Sequence, residues 1–194
     1  MSIATAVRTI DGLELPAAGT WVIDSAHSSV EVVARHLVIS KVRGRFTRFS
    51  GRIHVAELPE ESSVNFSIDA ASIHTADERR DEHLRSPDFL DTANHPEITF
   101  ASTSVSAGRK AGHWTVTGDL GVRGVTRQVS FDVALDGVGS SPDGSPRLVV
   151  SSQFEVDREE FGLTWNVALE TGGVLVGRQL RIELSIQALP DQAR

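Results

Sequence analysis

The stretch VSFDVAL, residues 129–135, places an apolar side chain at every second position and a small or polar one between them. Because successive side chains of a β-strand point to opposite faces, this alternation predicts a strand with one buried face. The same period of two recurs in residues 30–36, 64–68, 98–100, 114–120 and 180–186. Repeated one-sided strands are typical of an antiparallel, all-β protein.

The spacing of these runs predicts how the strands are arranged. About eight runs lie roughly 10–20 residues apart, with turn signals such as Asp136 and Gly137 between them, which favours an antiparallel meander closed into an eight-stranded barrel. A two-sheet sandwich is the alternative. Residues 137–146 are expected to form a long hairpin loop, because they contain several Gly and Pro residues. We assign residues 1–19 to an N-terminal arm and residues 20–190 to the barrel domain.

One segment interrupts the period of two. Residues 75–86, TADERRDEHLRS, consist largely of helix-forming residues, and Thr75 and Glu78 have the spacing of a capping box. Ser86 followed by Pro87 predicts a second helix start, since Pro is favoured in the first turn. We therefore expect short helices near one end of the barrel, where they would close its mouth.

Composition excludes several classes of protein. The chain has 194 residues, 40% of them hydrophobic, which suits a single globular domain. Its 19 basic and 26 acidic residues give a net charge of −7, which disfavours nucleic acid as a partner. The chain has no cysteine, so disulfides and thiolate chemistry are excluded. Without a leader-like segment or a run of about 18 apolar residues, we expect a cytoplasmic protein with no integral membrane segment.

Residues 24–28, DSAHS, contain the three residue types of a hydrolase triad. Residues this close in sequence rarely align as nucleophile, base and orienting acid, so we favour a structural turn in which Asp24 accepts backbone amide protons. The seven histidines include no pair with the spacing of a zinc motif. No metal and no cofactor is therefore predicted.

The aromatic residues are eight Phe and three Trp, with no Tyr, so their surface is almost wholly apolar. An eight-stranded barrel is either filled by its own side chains or holds one small ligand. Five small residues fall in register with inward apolar neighbours, namely Ala34, Gly44, Ser102, Gly118 and Ser152. They favour a cavity no more strongly than they favour a solid core.

Several motifs follow one another in a fixed order. They are Trp21-Val22-Ile23-Asp24 with His27-Ser28, the strand from Val30 to His36, Val42-Arg43-Gly44-Arg45-Phe46, Phe49-Ser50-Gly51, Arg80-Asp81 with His83-Leu84, Asp88-Phe89, His95-Pro96-Glu97-Ile98-Thr99-Phe100, Gly118-Asp119-Leu120, Val122-Arg123-Gly124-Val125-Thr126, Asp157-Arg158 and Phe161-Gly162-Leu163. Together, from about Thr20 to Ile186, they resemble the YceI family of lipocalin-like proteins.

The resemblance implies an extended eight-stranded antiparallel barrel with short helices near one end. It also implies an elongated hydrophobic tunnel, which in relatives binds polyisoprenoids or similar long-chain amphiphilic lipids. Three positions depart from the family: His95 stands where relatives often have an aromatic residue, and Val32 and Val150 where bulkier residues are common. Many relatives also carry a periplasmic signal, which is not found here, so we do not expect transport across an envelope.

The leading hypothesis is a non-enzymatic carrier or sequestering protein that holds a polyisoprenoid, either an isoprenoid quinone or a prenyl phosphate. Two alternatives stay open: a ligand-free interaction or stress-related barrel, and an enzyme that uses His36 or His27 on a small hydrophobic substrate. A homodimer is the expected assembly.

We predict that the tunnel is lined by inward residues with large or apolar side chains. They are Val32, His36, Phe46, Phe66, Phe89, Phe100, Trp114, Phe131, Phe154 and Trp165. Arg80 and His83 are the candidates for contact with a polar headgroup.

Overall fold

The computed structural model describes residues 6–10, 12–37, 40–142, 144–168 and 174–191. Its strands are β1 (Val7–Ile10), β2 (Leu13–Pro16), β3 (Gly19–Ile23), β4 (Ser29–His36), β5 (Ser40–Phe46), β6 (Phe49–Val55), β7 (Ser63–Asp69), β8 (Ile73–His74), β9 (Glu97–Ala107), β10 (His113–Val122), β11 (Val125–Ser140), β12 (Pro146–Asp157) and β13 (Val176–Pro190). One α-helix, α1, spans Glu78–Arg85, and short 3-10 turns span Pro59–Glu61, Ala70–Ser72 and Arg158–Phe161.

Eight of the strands form a closed ring of antiparallel pairs. Their order is β3, β6, β7, β9, β10, β11, β12 and β13, and β13 returns to pair with β3. The pairing between β12 and β13 runs in register from Leu148 opposite Ala188 to Asp157 opposite Gln179. The predicted eight-stranded antiparallel barrel is confirmed, and the sandwich alternative is wrong.

Strand β13 pairs with two strands along the same edge. Near its C-terminus Ala188 lies opposite Ile23 of β3, whereas further back Leu180 lies opposite Ala34 of β4. The β4–β5 hairpin extends the wall there, and β8 adds to its outer edge, where Ile73 lies opposite Phe46.

The two ends of the barrel carry different covers. The helix end is the end where α1 lies; there Arg123, in the turn between β10 and β11, donates hydrogen bonds to the Pro87 carbonyl at 2.6 Å and the Gly162 carbonyl at 2.8 Å. The hairpin end is the opposite end of β10, next to the loop that holds Gly112. It is covered by β1 and β2, which pair with each other from Val7 opposite Pro16 to Ile10 opposite Leu13. The strands Val7–Ile10 and Leu13–Pro16 of the predicted arm therefore pair as a hairpin.

Helix α1 begins two residues later than it would with an N-cap at Thr75. Its N-cap is Asp77, whose carboxylate accepts the Arg80 amide at 3.1 Å. The predicted capping box of Thr75 and Glu78 is wrong, because the Thr75 hydroxyl donates to the Asp81 carboxylate at 2.6 Å instead.

The second predicted helix, starting at Ser86, is also wrong. Residues 87–90 form turns in which the Leu90 amide bonds back to the Leu84 carbonyl at 3.0 Å. Pro87 disfavours a helical conformation at Ser86, and Ser86 is found in an extended conformation. The chain after α1 thus folds back against the last turn of the helix.

The predicted loop at residues 137–146 is shorter than expected. A bulge at Asp136, between the pairs Leu135 with Val150 and Gly137 with Val149, lets β11 continue to Ser140. In the part of the chain that is described, no helix has the length and apolar character that crossing a bilayer requires.

Candidate functional site: a cavity inside the barrel

The barrel encloses a cavity of about 750 Å³. This volume lies in the range of ligand pockets in proteins. Every strand of the closed ring contributes inward apolar side chains to its wall, and so do β4 and β5. Along β10 the lining residues run from Trp114 to Val122, a span of about 26 Å at the usual rise of a strand. The cavity is therefore long as well as apolar, a shape that suits an extended hydrocarbon chain.

An aromatic stack occupies part of the wall. The Phe131 and Phe154 rings stack with their centroids 4.2 Å apart and their planes 8° apart, and the Phe100 ring lies 5.4 Å from the Phe131 ring. Gly118 makes room for this stack, because a Cβ atom at that position would lie 2.6 Å from the Phe100 ring.

The small residues noted in the sequence therefore do two different things. Ala34, Gly44 and Ser152 line the cavity. The space beside Gly118 is instead occupied by the Phe100 ring. The Ser102 hydroxyl accepts a hydrogen bond from the Val64 amide at 2.8 Å.

Eleven of the twelve predicted site residues line this one cavity. They are Val32, Phe46, Phe66, Arg80, His83, Phe89, Phe100, Trp114, Phe131, Phe154 and Trp165. The backbone of His36 ends β4, but its side chain lies outside what the structure describes. The structure brings the eleven together; that they contact a ligand stays a prediction.

The cavity opens at the helix end. Three of the residues that line it there, Arg35, Asp77 and Arg79, are exposed to solvent. Trp165 and His83 also line the cavity, and their rings lie with centroids 4.5 Å apart and planes nearly perpendicular. The opening thus combines arginine side chains with aromatic rings, so it can hold a polar or anionic group beside an apolar chain.

The two predicted headgroup residues are held in defined positions. Arg80 donates from Nε to the Thr75 hydroxyl at 2.7 Å and from a terminal nitrogen to the Thr75 carbonyl at 2.9 Å. A ring nitrogen of His83 lies 3.0 Å from the Asp88 carboxylate.

Asp81 fastens α1 to the wall beneath this opening. Its carboxylate is buried and accepts the Thr75 amide at 2.8 Å, the Thr75 hydroxyl at 2.6 Å and a contact from His74 at 3.2 Å. Burial raises the pKa of a carboxyl, but the hydrogen bonds from Thr75 and His74 outweigh burial here, and the pKa of Asp81 is lowered. Asp81 therefore stays ionised and keeps the donors of Thr75 satisfied.

Arg158 is a buried cation in the wall of the helix end. It is 2% exposed and donates to the carbonyls of Leu163, Trp165 at 3.1 Å and Gly177 at 3.0 Å. Burial lowers the pKa of this guanidinium. These bonds fix the chain that carries Trp165 to the start of β13.

The hairpin end of the cavity is covered. Its lining residues Arg8, Leu15, Pro16, Pro59, Ser62 and Ser63 are all buried or half-buried. The terminal nitrogens of Arg8 bond to the Ala56 carbonyl and, at 2.8 Å, to the Glu57 carboxylate. Among the described residues, the Arg8 Nε is buried without a partner, so it can donate to an oxygen of a molecule that reaches this end.

The Asp24–Ser28 segment lies outside this cavity. His27 is 57% exposed and bonds to Asp24 at 2.7 Å, while the Ser28 hydroxyl donates to the Asp24 carbonyl at 2.7 Å. Arg147, at 2.5 Å, lowers the pKa of Asp24 to about 2, with a smaller contribution from His27. The segment is built as a turn, in which Asp24 also accepts the Ala26 amide. Within the described ranges no group of three potential metal-ligating side chains is found.

Sequence reasoning missed several residues of the cavity. Arg8 and Leu15 belong to the arm, where no site residue is predicted. Arg35, Arg79 and Arg158 also line the cavity but are not among the predicted site residues. Alternation within residues 13–16, LELP, is the one local signal that Leu15 faces inward. The role of Arg158 has no such signal, because its partners are backbone carbonyls.

Comparisons with known proteins agree with this architecture. A UPF0312 protein of Staphylococcus aureus is 37% identical over 170 residues, covering 86% of this chain and 95% of that protein. Among solved structures, Burkholderia cenocepacia BcnA superposes with a TM-score of 0.72 at 20% identity, covering 85% of this chain and 98% of that one. A Campylobacter jejuni YceI protein gives 0.69 at 24% identity, covering 81% and 90%.

A third solved structure is a polyisoprenoid binding domain from Saccharophagus degradans. Its TM-score is 0.63 at 15% identity, covering 89% of this chain and 99% of that one. The profile of the YceI-like domain matches residues 21–188, which include all eight strands of the closed ring from Trp21 of β3 to Ala188 of β13. With that match over most of its length, the chain belongs to the YceI-like domain family.

Proposed function

We propose that this protein binds a long-chain amphiphilic lipid of the polyisoprenoid class inside the barrel, as a carrier or sequestering protein. The observation that carries the proposal is the long apolar cavity of about 750 Å³, which opens beside arginine side chains at the helix end. The polyisoprenoid binding domain from Saccharophagus degradans shares the fold and supports the choice of lipid class.

Burial of the chain would supply most of the affinity. Each methylene group moved from water into an apolar site contributes about 0.8 kcal/mol, so ten of them contribute about 8 kcal/mol before ordering costs are subtracted. This gain greatly exceeds what a few exposed ionic contacts provide. Selectivity for the apolar part should therefore depend on length and shape rather than on specific polar contacts.

The polar group of the lipid would lie at the helix end. Arg79 and Arg80 are cationic, and a guanidinium matches the geometry of a phosphate. A quinone would use the same opening through hydrogen bonds to its carbonyl oxygens. We propose binding rather than catalysis. Of the two histidines considered as catalytic bases, His27 lies on the turn outside the cavity, and the side chain of His36 lies outside what the structure describes. Cytoplasmic location and homodimerisation stay predictions.

Native mass spectrometry tests the proposal directly. We expect protein purified from its own host without detergent to carry a stoichiometric adduct, which denaturing extraction identifies as a prenyl or other long-chain lipid. A mass equal to the chain alone, unchanged after incubation with ubiquinone and farnesyl phosphate, would contradict the proposal.

A charge placed inside the cavity should abolish uptake. Phe100→Asp puts a carboxylate into the aromatic stack, where its desolvation opposes both folding and ligand burial. We expect at least roughly tenfold weaker binding of a fluorescent apolar probe by molecules that remain folded. Ser104→Asp is the matched control, because Ser104 lies on the same strand but is exposed.

Thermal unfolding separates loss of binding from loss of fold in this pair. If folded Phe100→Asp and Ser104→Asp proteins bind the probe equally well, the cavity is not the binding site.

A further inference from the structure

The two ends of the cavity differ in what bounds them. At the helix end, exposed side chains such as Arg35 and Arg79 line the opening. At the hairpin end, Leu15 is 4% exposed and faces the cavity together with buried Pro16. Both residues belong to β2, so the floor of the cavity is built partly from the N-terminal hairpin.

The hairpin is held in place by polar contacts at several points. Ala6 is fully buried, and its carbonyl accepts the Ala17 amide at 2.7 Å. The Ala17 carbonyl in turn accepts the indole N–H of Trp21 at 3.1 Å. Arg8 reaches across to the end of β6, where it bonds to the carbonyls of Ala56 and Glu57. These contacts tie both strands of the hairpin to the barrel rim.

The matched family domain begins at residue 21, so the hairpin lies outside it. Most of the barrel wall therefore lies within the match, whereas this part of the floor lies outside it. A chain that enters at the helix end and extends along the cavity meets Leu15 and Pro16 at the far end.

We propose that the N-terminal hairpin is a stopper that sets the longest hydrocarbon chain the cavity accepts, with Leu15 as the residue that determines the limit. The inference rests on the proposed function, because it requires a chain to enter from the helix end. Once the chain reaches Leu15, further carbons stay in water and add no burial energy. Affinity should then stop rising with chain length.

A length series of prenols tests this proposal with the full-length protein. Affinities are measured for prenols of increasing isoprene number by displacement of a fluorescent apolar probe. For the wild-type chain we expect affinity to rise with each isoprene unit up to a limit and then to level off. Leu15→Ala should move that limit towards longer prenols, because it removes atoms from the floor.

The matched control makes the same substitution at the other end. Leu84→Ala, in α1, removes the same atoms from the lining at the helix end. It should leave the limit where it is, since the cavity is already open there. Leu15→Phe should move the limit towards shorter prenols. If Leu15→Ala does not fold, this opposite shift still tests whether Leu15 sets the limit.

The outcomes separate the two proposals. A limit that is unchanged in both Leu15 variants, or that moves equally in Leu84→Ala, overturns the stopper and leaves lipid binding in place. Failure of the wild-type chain to bind any prenol of the series overturns both.

Discussion

At the scale of single residues, the best-defined electrostatic feature is the pair of Asp24 and Arg147, whose side chains are 15% and 20% exposed. The pKa of Asp24 falls from 3.8 to about 2, so its ionised form contributes about 2 kcal/mol to stability at neutral pH. Because the folded pKa is the lower one, this contribution is complete above the unfolded value. It is lost as pH falls towards 2, with about half remaining at pH 3.

Asp24→Asn should therefore cost about 2 kcal/mol of unfolding free energy at pH 6 and about 1 kcal/mol at pH 3. Urea unfolding of both proteins at each pH measures the difference. Asp136→Asn, which changes an exposed carboxylate, controls for the substitution itself. A cost for Asp24→Asn that is the same at both pH values would show that the charge of Asp24 does not stabilise the fold.

At the scale of elements, α1 depends on one buried carboxylate. Both donors of Thr75 bond to the same oxygen of Asp81, so an Asn carbonyl at that position can accept them while an Ala cannot. Asp81→Ala should leave the half-buried Thr75 amide unpaired, at a cost of about 1 kcal/mol, and should speed hydrogen exchange in α1.

Three variants of α1 separate these effects. Asp81→Asn should keep most of the wild-type protection, and Glu82→Ala, on the exposed face of the same helix, should keep all of it. Equal exchange in Asp81→Ala and Glu82→Ala would mean that Asp81 does not hold the helix.

At the scale of the whole molecule, the sequence predicts best what is decided locally. The alternation in residues 129–135 places Phe131 on the inner face, because side-chain direction in a strand follows from position alone. The predicted N-cap of α1 at Thr75 is wrong because the Thr75 hydroxyl donates its hydrogen bond to Asp81, six residues away. The floor at Leu15 and the buried hydrogen bonds of Arg158 depend on parts of the chain that come into contact only on folding. Such contacts leave no periodic pattern in the sequence.

The cover over the hairpin end has a kinetic consequence. In the described residues the cavity has its exposed rim at the helix end, so a molecule bound as we propose would leave by the path along which it arrived. A second molecule has no route by which to push the first out from behind. Exchange must then pass through an empty protein, and the dissociation rate of the first molecule is independent of the concentration of its competitor.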